Sequence, residues 1–136
     1  MGNSEKKFTP FVRPEDDLPQ ITFKAVVLGI VLSAIMAGAN AYLGLKVGMT
    51  VSASIPAAVI SMAVLRMFKY SNILENNIVQ TAASAGESLA AGVIFTLPAL
   101  ILLRYWSDFP FLDTMAIAMF GGVLGVLFTI PLRRVL

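Results

Sequence analysis

Residues 78–103 read IVQTAASAGESLAAGVIFTLPALILL and hold a single charged side chain, Glu87. At about 1.5 Å of rise per residue, roughly 20 helical residues cross the ~30 Å hydrocarbon layer of a membrane. A transmembrane β-strand would instead alternate apolar and polar side chains over about 10 residues. The stretch therefore predicts a membrane-spanning helix.

Three further apolar stretches resemble it in length, at residues 21–45, 48–68 and 114–132. The chain is 57% hydrophobic and 13% charged, whereas soluble domains are about 45–50% apolar and about 25% charged. These values exclude a soluble globular domain and a disordered chain. The sequence predicts an all-α, polytopic membrane protein with four spans, whose surroundings are the lipid bilayer.

Both ends of the chain are predicted to lie in the cytoplasm. Residues 1–20 are rich in charged residues and proline and predict a solvated N-terminal tail, followed by a transmembrane region over 21–136. With the N-terminus inside, eight of the ten Lys and Arg residues fall on the cytoplasmic side, and Lys46 and Arg104 fall outside. The positive-inside rule therefore favours this orientation for a multi-pass protein of the cell membrane.

The absence of two residue types limits the chemistry. The chain has no Cys and no His, which excludes disulfides, thiolate or imidazole metal sites and His-based catalytic triads. We therefore predict no enzyme activity, no cofactor and no metal site. The basic residues stand at segment ends and form no patch, so nucleic acid is not an expected partner.

Small residues recur three or four positions apart on three of the four segments. Such faces are typical helix-packing surfaces in membranes, where lipid offers no hydrophobic drive for association. They comprise Gly29, Ser33, Ala37, Asn40 and Gly44 on the first segment, Thr50, Ser54, Ala57 and Ser61 on the second, and Gly121, Gly122 and Gly125 on the fourth.

The third segment carries a polar face of a different kind. At about 100° per helical residue, its polar side chains lie within roughly 60° of one line. An ionisable residue at membrane depth costs about 2.5–3.5 kcal/mol and must face protein or water, where burial favours a protonated carboxyl. Two interpretations remain open: Glu87 carries a coupling proton, or it only ties helices together. The face includes Asn77, Gln80, Thr81, Ser84 and Glu87.

Several stretches are also familiar as sequences. Residues 40–50, NAYLGLKVGMT, with residues 52–58, SASIPAA, resemble the first helical hairpin of the oligopeptide transporter (OPT) family. Residues 75–87, ENNIVQTAASAGE, and residues 131–134, PLRR, are similar to further stretches of its prokaryotic branch, which is related to the yellow-stripe-like metal-chelate transporters. The resemblance implies proton-driven import of small peptides or metal chelates.

Members of that family have many more spans than four. The resemblance therefore implies an N-terminal fragment, whose partners are the remaining C-terminal helices of a full-length transporter. In this hypothesis the polar face lines a cavity, and Glu87 loads and releases the coupling proton. The substrate would be bound by Asn40, Asn77, Gln80, Thr81 and Ser84.

Two other functions fit the residues. One is a stand-alone four-helix, proton-coupled small-molecule exporter that works as a dimer, and so as a homo-oligomer. The other is a non-transporting membrane assembly subunit, whose small-residue faces bind partner helices. In the fragment hypothesis, we expect the third helix to be flanked by the first or second, and the polar faces to remain partly uncovered.

Overall fold

The computed structural model describes residues 10–13, 16–68 and 71–135. The regular secondary structure in these residues is helical throughout, which confirms the all-α class. Residues 1–9 and 14–15 of the predicted tail lie outside the described part. Within the described residues, three stretches are long and apolar enough to cross a membrane: Phe23–Val47, Ile73–Leu102 and Phe111–Leu132. The helices are α1 (Phe23–Val47), α2 (Ser54–Arg66), α3 (Ile73–Thr96), α4 (Pro98–Leu102) and α5 (Phe111–Leu132).

Caps at both ends fix the limits of α1. The Thr22 side chain accepts a hydrogen bond from the Ala25 N–H at 3.3 Å, and Gly48 ends the helix with φ at 75°. That left-handed conformation suits glycine because it has no Cβ, and the Gly48 N–H closes the helix by donating to the Gly44 carbonyl. The helix is therefore shifted two residues toward the C-terminus from the predicted range of 21–45.

The second predicted span, 48–68, differs most from expectation. Only Ser54–Arg66 is helical, and residues 49–52 form no regular structure. A helix of 13 residues covers about 20 Å, less than the ~30 Å of a hydrocarbon layer. The expectation of one continuous helix is corrected here, because the left-handed turn at Gly48 leads into a stretch that α1 holds in a non-helical conformation.

The third predicted span, 78–103, starts earlier than expected. Asn72 and Glu75 form a capping box: the Asn72 side chain accepts from the Glu75 N–H at 2.9 Å, and the Glu75 carboxylate accepts from the Asn72 N–H at 3.2 Å. These two bonds satisfy backbone donors at the helix start, so α3 begins at Ile73. Near the other end, Pro98 separates α3 from the short α4, because proline lacks the N–H that a continuous helix needs.

The fourth predicted span, 114–132, is α5, which begins three residues earlier than predicted and ends at the predicted residue. None of its residues is buried. It approaches α3 where a Cβ on Gly122 would lie 3.3 Å from the Leu89 side chain. Its apolar surface is thus open to lipid or to further helices.

α1 and α3 run parallel and lie unusually close. Thr22 contacts Glu75 near their N-terminal ends, and Gly44 faces Ile94 toward their C-terminal ends. Between them, a Cβ built on Gly86 would lie 2.9 Å from the Ser33 carbonyl oxygen. Two helix backbones approach this closely only where the contacting residue of one helix is small. Ser33 belongs to the face predicted on the first segment, whereas Gly86 was not among the predicted packing residues.

α2 also packs against α3, so α3 is flanked by α1 and by α2, which agrees with the prediction of the first or second helix as its neighbour. The interior they share is made of small and medium-sized side chains. Because these side chains are short, the helices pack closely together. α1, α2 and α3 thereby hold the polar groups in fixed positions. The buried core consists of Ala25, Leu32, Ala57, Leu65, Val79 and Ala83.

Candidate functional site

The non-helical stretch after α1 is held by one buried amide. The Asn40 Nδ2 donates to the Val51 carbonyl at 3.0 Å, and the Val51 N–H donates to the Asn40 Oδ1 at 2.7 Å. Asn40 itself is only 2% exposed. A residue directs its N–H and C=O to the same side in an extended chain, as in an antiparallel β-pair. We therefore infer that Val51 runs extended along α1.

This extended stretch lies within the span of α1 and does not pass over its end. Asn40 precedes the last residue of α1, Val47, by seven positions, which is about 10 Å along a helix axis. Residues 49–52 cover about 13 Å at ~3.3 Å per residue, and α2 adds about 20 Å. Together these lengths are comparable with the ~30 Å layer, whereas among the described residues three helical stretches are long enough to cross it by themselves.

Non-helical backbone within a membrane is restricted to particular surroundings. Without water, each unsatisfied peptide group is costly, so such backbone occurs only within protein or along a water-filled cavity. Transporters use broken spans of this kind near their substrate and ion sites. The break in the second predicted span, residues 48–53, is therefore the candidate site.

Glu87 lies at this break. Its Oε2 accepts a hydrogen bond from the Ala53 N–H at 2.9 Å, and Ala53 is the N-cap residue of α2. A helix N-terminus carries a partial positive charge that attracts a carboxylate. Next to it, the hydroxyls of Ser54 and Ser84 are hydrogen-bonded at 2.7 Å. Two of the predicted site residues, Glu87 and Ser84, thus both contact the N-terminal end of α2.

The other predicted substrate residues are placed differently. Both polar groups of the Asn40 side chain are engaged by Val51. On α3, Asn77 and Thr81 are exposed, and the Thr81 hydroxyl donates to the Asn77 carbonyl at 2.8 Å, while Gln80 is half-buried. The polar face is therefore covered by α2 along one edge and open along the other, in agreement with the expectation of partly uncovered faces.

A second polar cluster was not predicted. Glu75 is 1% exposed and accepts a hydrogen bond from the Thr22 hydroxyl at 2.5 Å, and the Lys24 Nζ lies 3.5 Å from its Oε1. Asn72 also donates to the Pro19 carbonyl at 2.8 Å. The spacing Asn72-x-x-Glu75 is a capping signal that sequence reasoning could have used. The contacts with Thr22 and Lys24 join distant residues and need the tertiary structure.

We expect Glu75→Gln to destabilise the fold by about 1–2 kcal/mol, because it weakens a charge-assisted hydrogen-bond network while leaving an acceptor for Thr22. Thermal unfolding in detergent measures the change. Asp108→Asn, which neutralises an exposed carboxylate outside the helices, serves as the control and should leave the midpoint unchanged. Equal midpoints for wild type and Glu75→Gln would show that this cluster does not hold α1 to α3.

Within residues 10–13, 16–68 and 71–135, no three acidic side chains come together in a way that could hold a metal ion. At the break before α2, the described residues place the Glu87 carboxylate beside the Ser54 and Ser84 hydroxyls. These groups can exchange protons and hydrogen bonds, and they belong to a multi-pass helical membrane protein.

The family follows from comparison with known proteins. The family model described as OPT oligopeptide transporter protein matches residues 20–136, so the chain belongs to the OPT family and the resemblance is confirmed. A Haemophilus influenzae protein named "Putative oligopeptide transporter" is 67% identical over 93 residues, which cover 68% of this chain and 14% of that protein. The match thus spans a small part of the relative's length. No solved structure matches the chain.

Proposed function

We propose that the chain forms the N-terminal part of a longer, secondary active transporter that couples proton movement to import of small peptides, peptide-like molecules or metal chelates. Membership of the OPT family supports transport. The observation that carries proton coupling is the hydrogen bond from the Ala53 N–H to Glu87, which puts a titratable group at the break of the second span.

Glu87 is suited to link protonation to helix position. An ionised carboxylate attracts the positive end of α2, and a neutral carboxyl loses most of that attraction. Proton binding would therefore loosen the contact between α3 and the start of α2. Polar side chains nearby would hydrogen-bond the amides or carboxylates of a substrate while this contact changes. In this proposal they are Asn77, Gln80, Thr81 and Ser84, with Asn40 shaping the adjacent backbone.

Replacing Glu87 with Gln tests the proposal. In the full-length transporter that carries this sequence, Glu87→Gln should abolish proton-driven uptake into proteoliposomes and leave expression and thermal stability near wild type, because Gln keeps an acceptor for Ala53. Asp108→Asn is the matched control, since it neutralises a carboxylate outside the helices. Wild-type uptake with unchanged pH dependence in Glu87→Gln would remove this residue from the mechanism.

We also propose that the protein lies in the cell membrane with its N-terminus in the cytoplasm. Because the chain has no Cys, a single cysteine at Arg104 can be labelled without background. We expect an impermeant thiol reagent to label Arg104→Cys in intact cells and to leave Arg66→Cys unlabelled until the cells are opened. Labelling of Arg66→Cys but not of Arg104→Cys in intact cells would show the opposite orientation in the membrane.

Reconstitution of the 136-residue chain alone separates the stand-alone exporter from this proposal and from the non-transporting assembly subunit. We expect no uptake by liposomes that contain only this chain, because its polar face is open along one edge and α5 has no buried residue. Proton-coupled transport by the isolated chain would support the stand-alone dimeric exporter instead.

A further inference from the structure

The extended stretch after Gly48 presents a row of peptide groups away from α1. Val51 turns both its N–H and its C=O toward Asn40. Neighbouring residues of an extended chain point these groups to opposite sides, so we infer that Thr50 and Ser52 direct theirs away from Asn40. Within the part of the chain that the structure describes, no hydrogen bond engages the peptide groups of these two residues.

This row matches the main chain of an extended peptide. Thr50 and Ser52 each offer one N–H and one C=O, and residues two apart in an extended chain are separated by about 7 Å. An extended peptide has the same repeat and can add to such an edge as an extra strand. Main-chain bonding does not depend on side-chain identity, as a carrier of peptides with varied sequences requires.

We propose that the peptide groups of Thr50 and Ser52 form a docking strip for the main chain of an extended peptide substrate. The inference rests on the proposed transport function and names how that site binds its substrate. Asn40 acts as a positioning residue, because its two hydrogen bonds fix which side of the stretch faces the substrate.

The strip also leads toward the carboxylate. Ser52 is followed by Ala53, whose N–H is bound by Glu87. A peptide paired with Ser52 would therefore lie beside Ala53, the residue whose N–H binds the proposed proton-coupling group. Ser52 is exposed and Thr50 is half-buried in the described chain, so the strip is accessible from at least the Ser52 end in that part of the protein.

The test uses peptides that carry a single blocked amide. Full-length transporter in proteoliposomes is given tetra-alanine and three analogues N-methylated at residue 2, 3 or 4. N-methylation removes one donor and prevents strand pairing on that side only. Alternate residues of the peptide face the strip, so residues 2 and 4 face one way and residue 3 the other. Methylation on the side that faces the strip should raise the apparent KM about tenfold or more, the equivalent of about 1.4 kcal/mol. Methylation on the side that faces away should change the apparent KM less than about twofold.

A pair of protein variants tests the same contact from the other side. Ser52→Pro removes the Ser52 N–H, whereas Ser52→Ala keeps it and loses only the hydroxyl. We expect Ser52→Pro to raise the apparent KM of tetra-alanine clearly more than Ser52→Ala, which keeps the donor. The N-methyl series needs no variant and decides the matter if Ser52→Pro does not fold.

The outcomes separate the two proposals. Uptake of tetra-alanine that is indifferent to the position of N-methylation would overturn the docking strip and leave peptide transport standing, with the strip then covered by another segment of the longer protein. No uptake of any alanine peptide, in a preparation shown by thermal unfolding to be folded, would overturn peptide transport and the strip together.

Discussion

Gly86→Val is expected to lower the free energy of unfolding by about 3 kcal/mol, the upper part of the range for overpacked interiors. A Cβ at this position would lie 2.9 Å from the backbone oxygen of Ser33 and still closer to its hydroxyl. A backbone oxygen cannot rotate away as a side chain can, so α1 and α3 must separate. Unfolding by heat or by denaturing detergent, followed by tryptophan fluorescence or size exclusion, measures the loss.

Gly92→Val is the matched control for this substitution. Gly92 lies on the same helix, and a Cβ there meets no atom within 4 Å. The change in intrinsic helix propensity is the same at both positions, so the difference between the variants isolates the helix contact. Ser33→Gly in the Gly86→Val background should restore part of the stability. Similar unfolding midpoints for the two valine variants would contradict the close packing of α1 on α3.

The second large effect is expected at Asn40. Asn40→Leu keeps the approximate size of the side chain but leaves the N–H and C=O of Val51 without partners. Each of the two lost hydrogen bonds contributes about 0.5–1.5 kcal/mol, so we expect a loss of about 1–3 kcal/mol, together with loss of transport in the full-length protein. Asn77→Leu is the control for stability, because Asn77 is exposed and its side chain closes no loop.

A graded variant sharpens the Asn40 prediction. Asn40→Asp retains an acceptor for the Val51 N–H and loses the donor to the Val51 carbonyl. We therefore expect Asn40→Asp to fall between wild type and Asn40→Leu in thermal stability. Protease accessibility of residues 48–53 should follow the same order. If Asn40→Leu were as stable and as protected as wild type, the clamp on the extended stretch would be refuted.

Residue type and spacing already predicted much of this protein. Long apolar runs with few charges cannot be solvated by water and must form helices in a bilayer, so the all-α, multi-pass class follows from composition and length alone. The small residues on the first segment predicted close packing, and Gly44 lies where it occurs, whereas Gly86 on the third segment was not singled out. Glu87 was singled out because an ionisable group at membrane depth needs a partner.

Only the tertiary structure decided how the second span is built and what surrounds its break. Hydropathy registers the apolar character of residues 48–68 and not their backbone conformation, which depends on Asn40 reaching Val51 across the turn at Gly48. Likewise, Glu87 meets Ala53, and Glu75 meets Thr22, only because parallel packing of α1 and α3 and the return of α2 bring distant residues together. Such contacts depend on where whole helices lie, and local sequence patterns do not encode that.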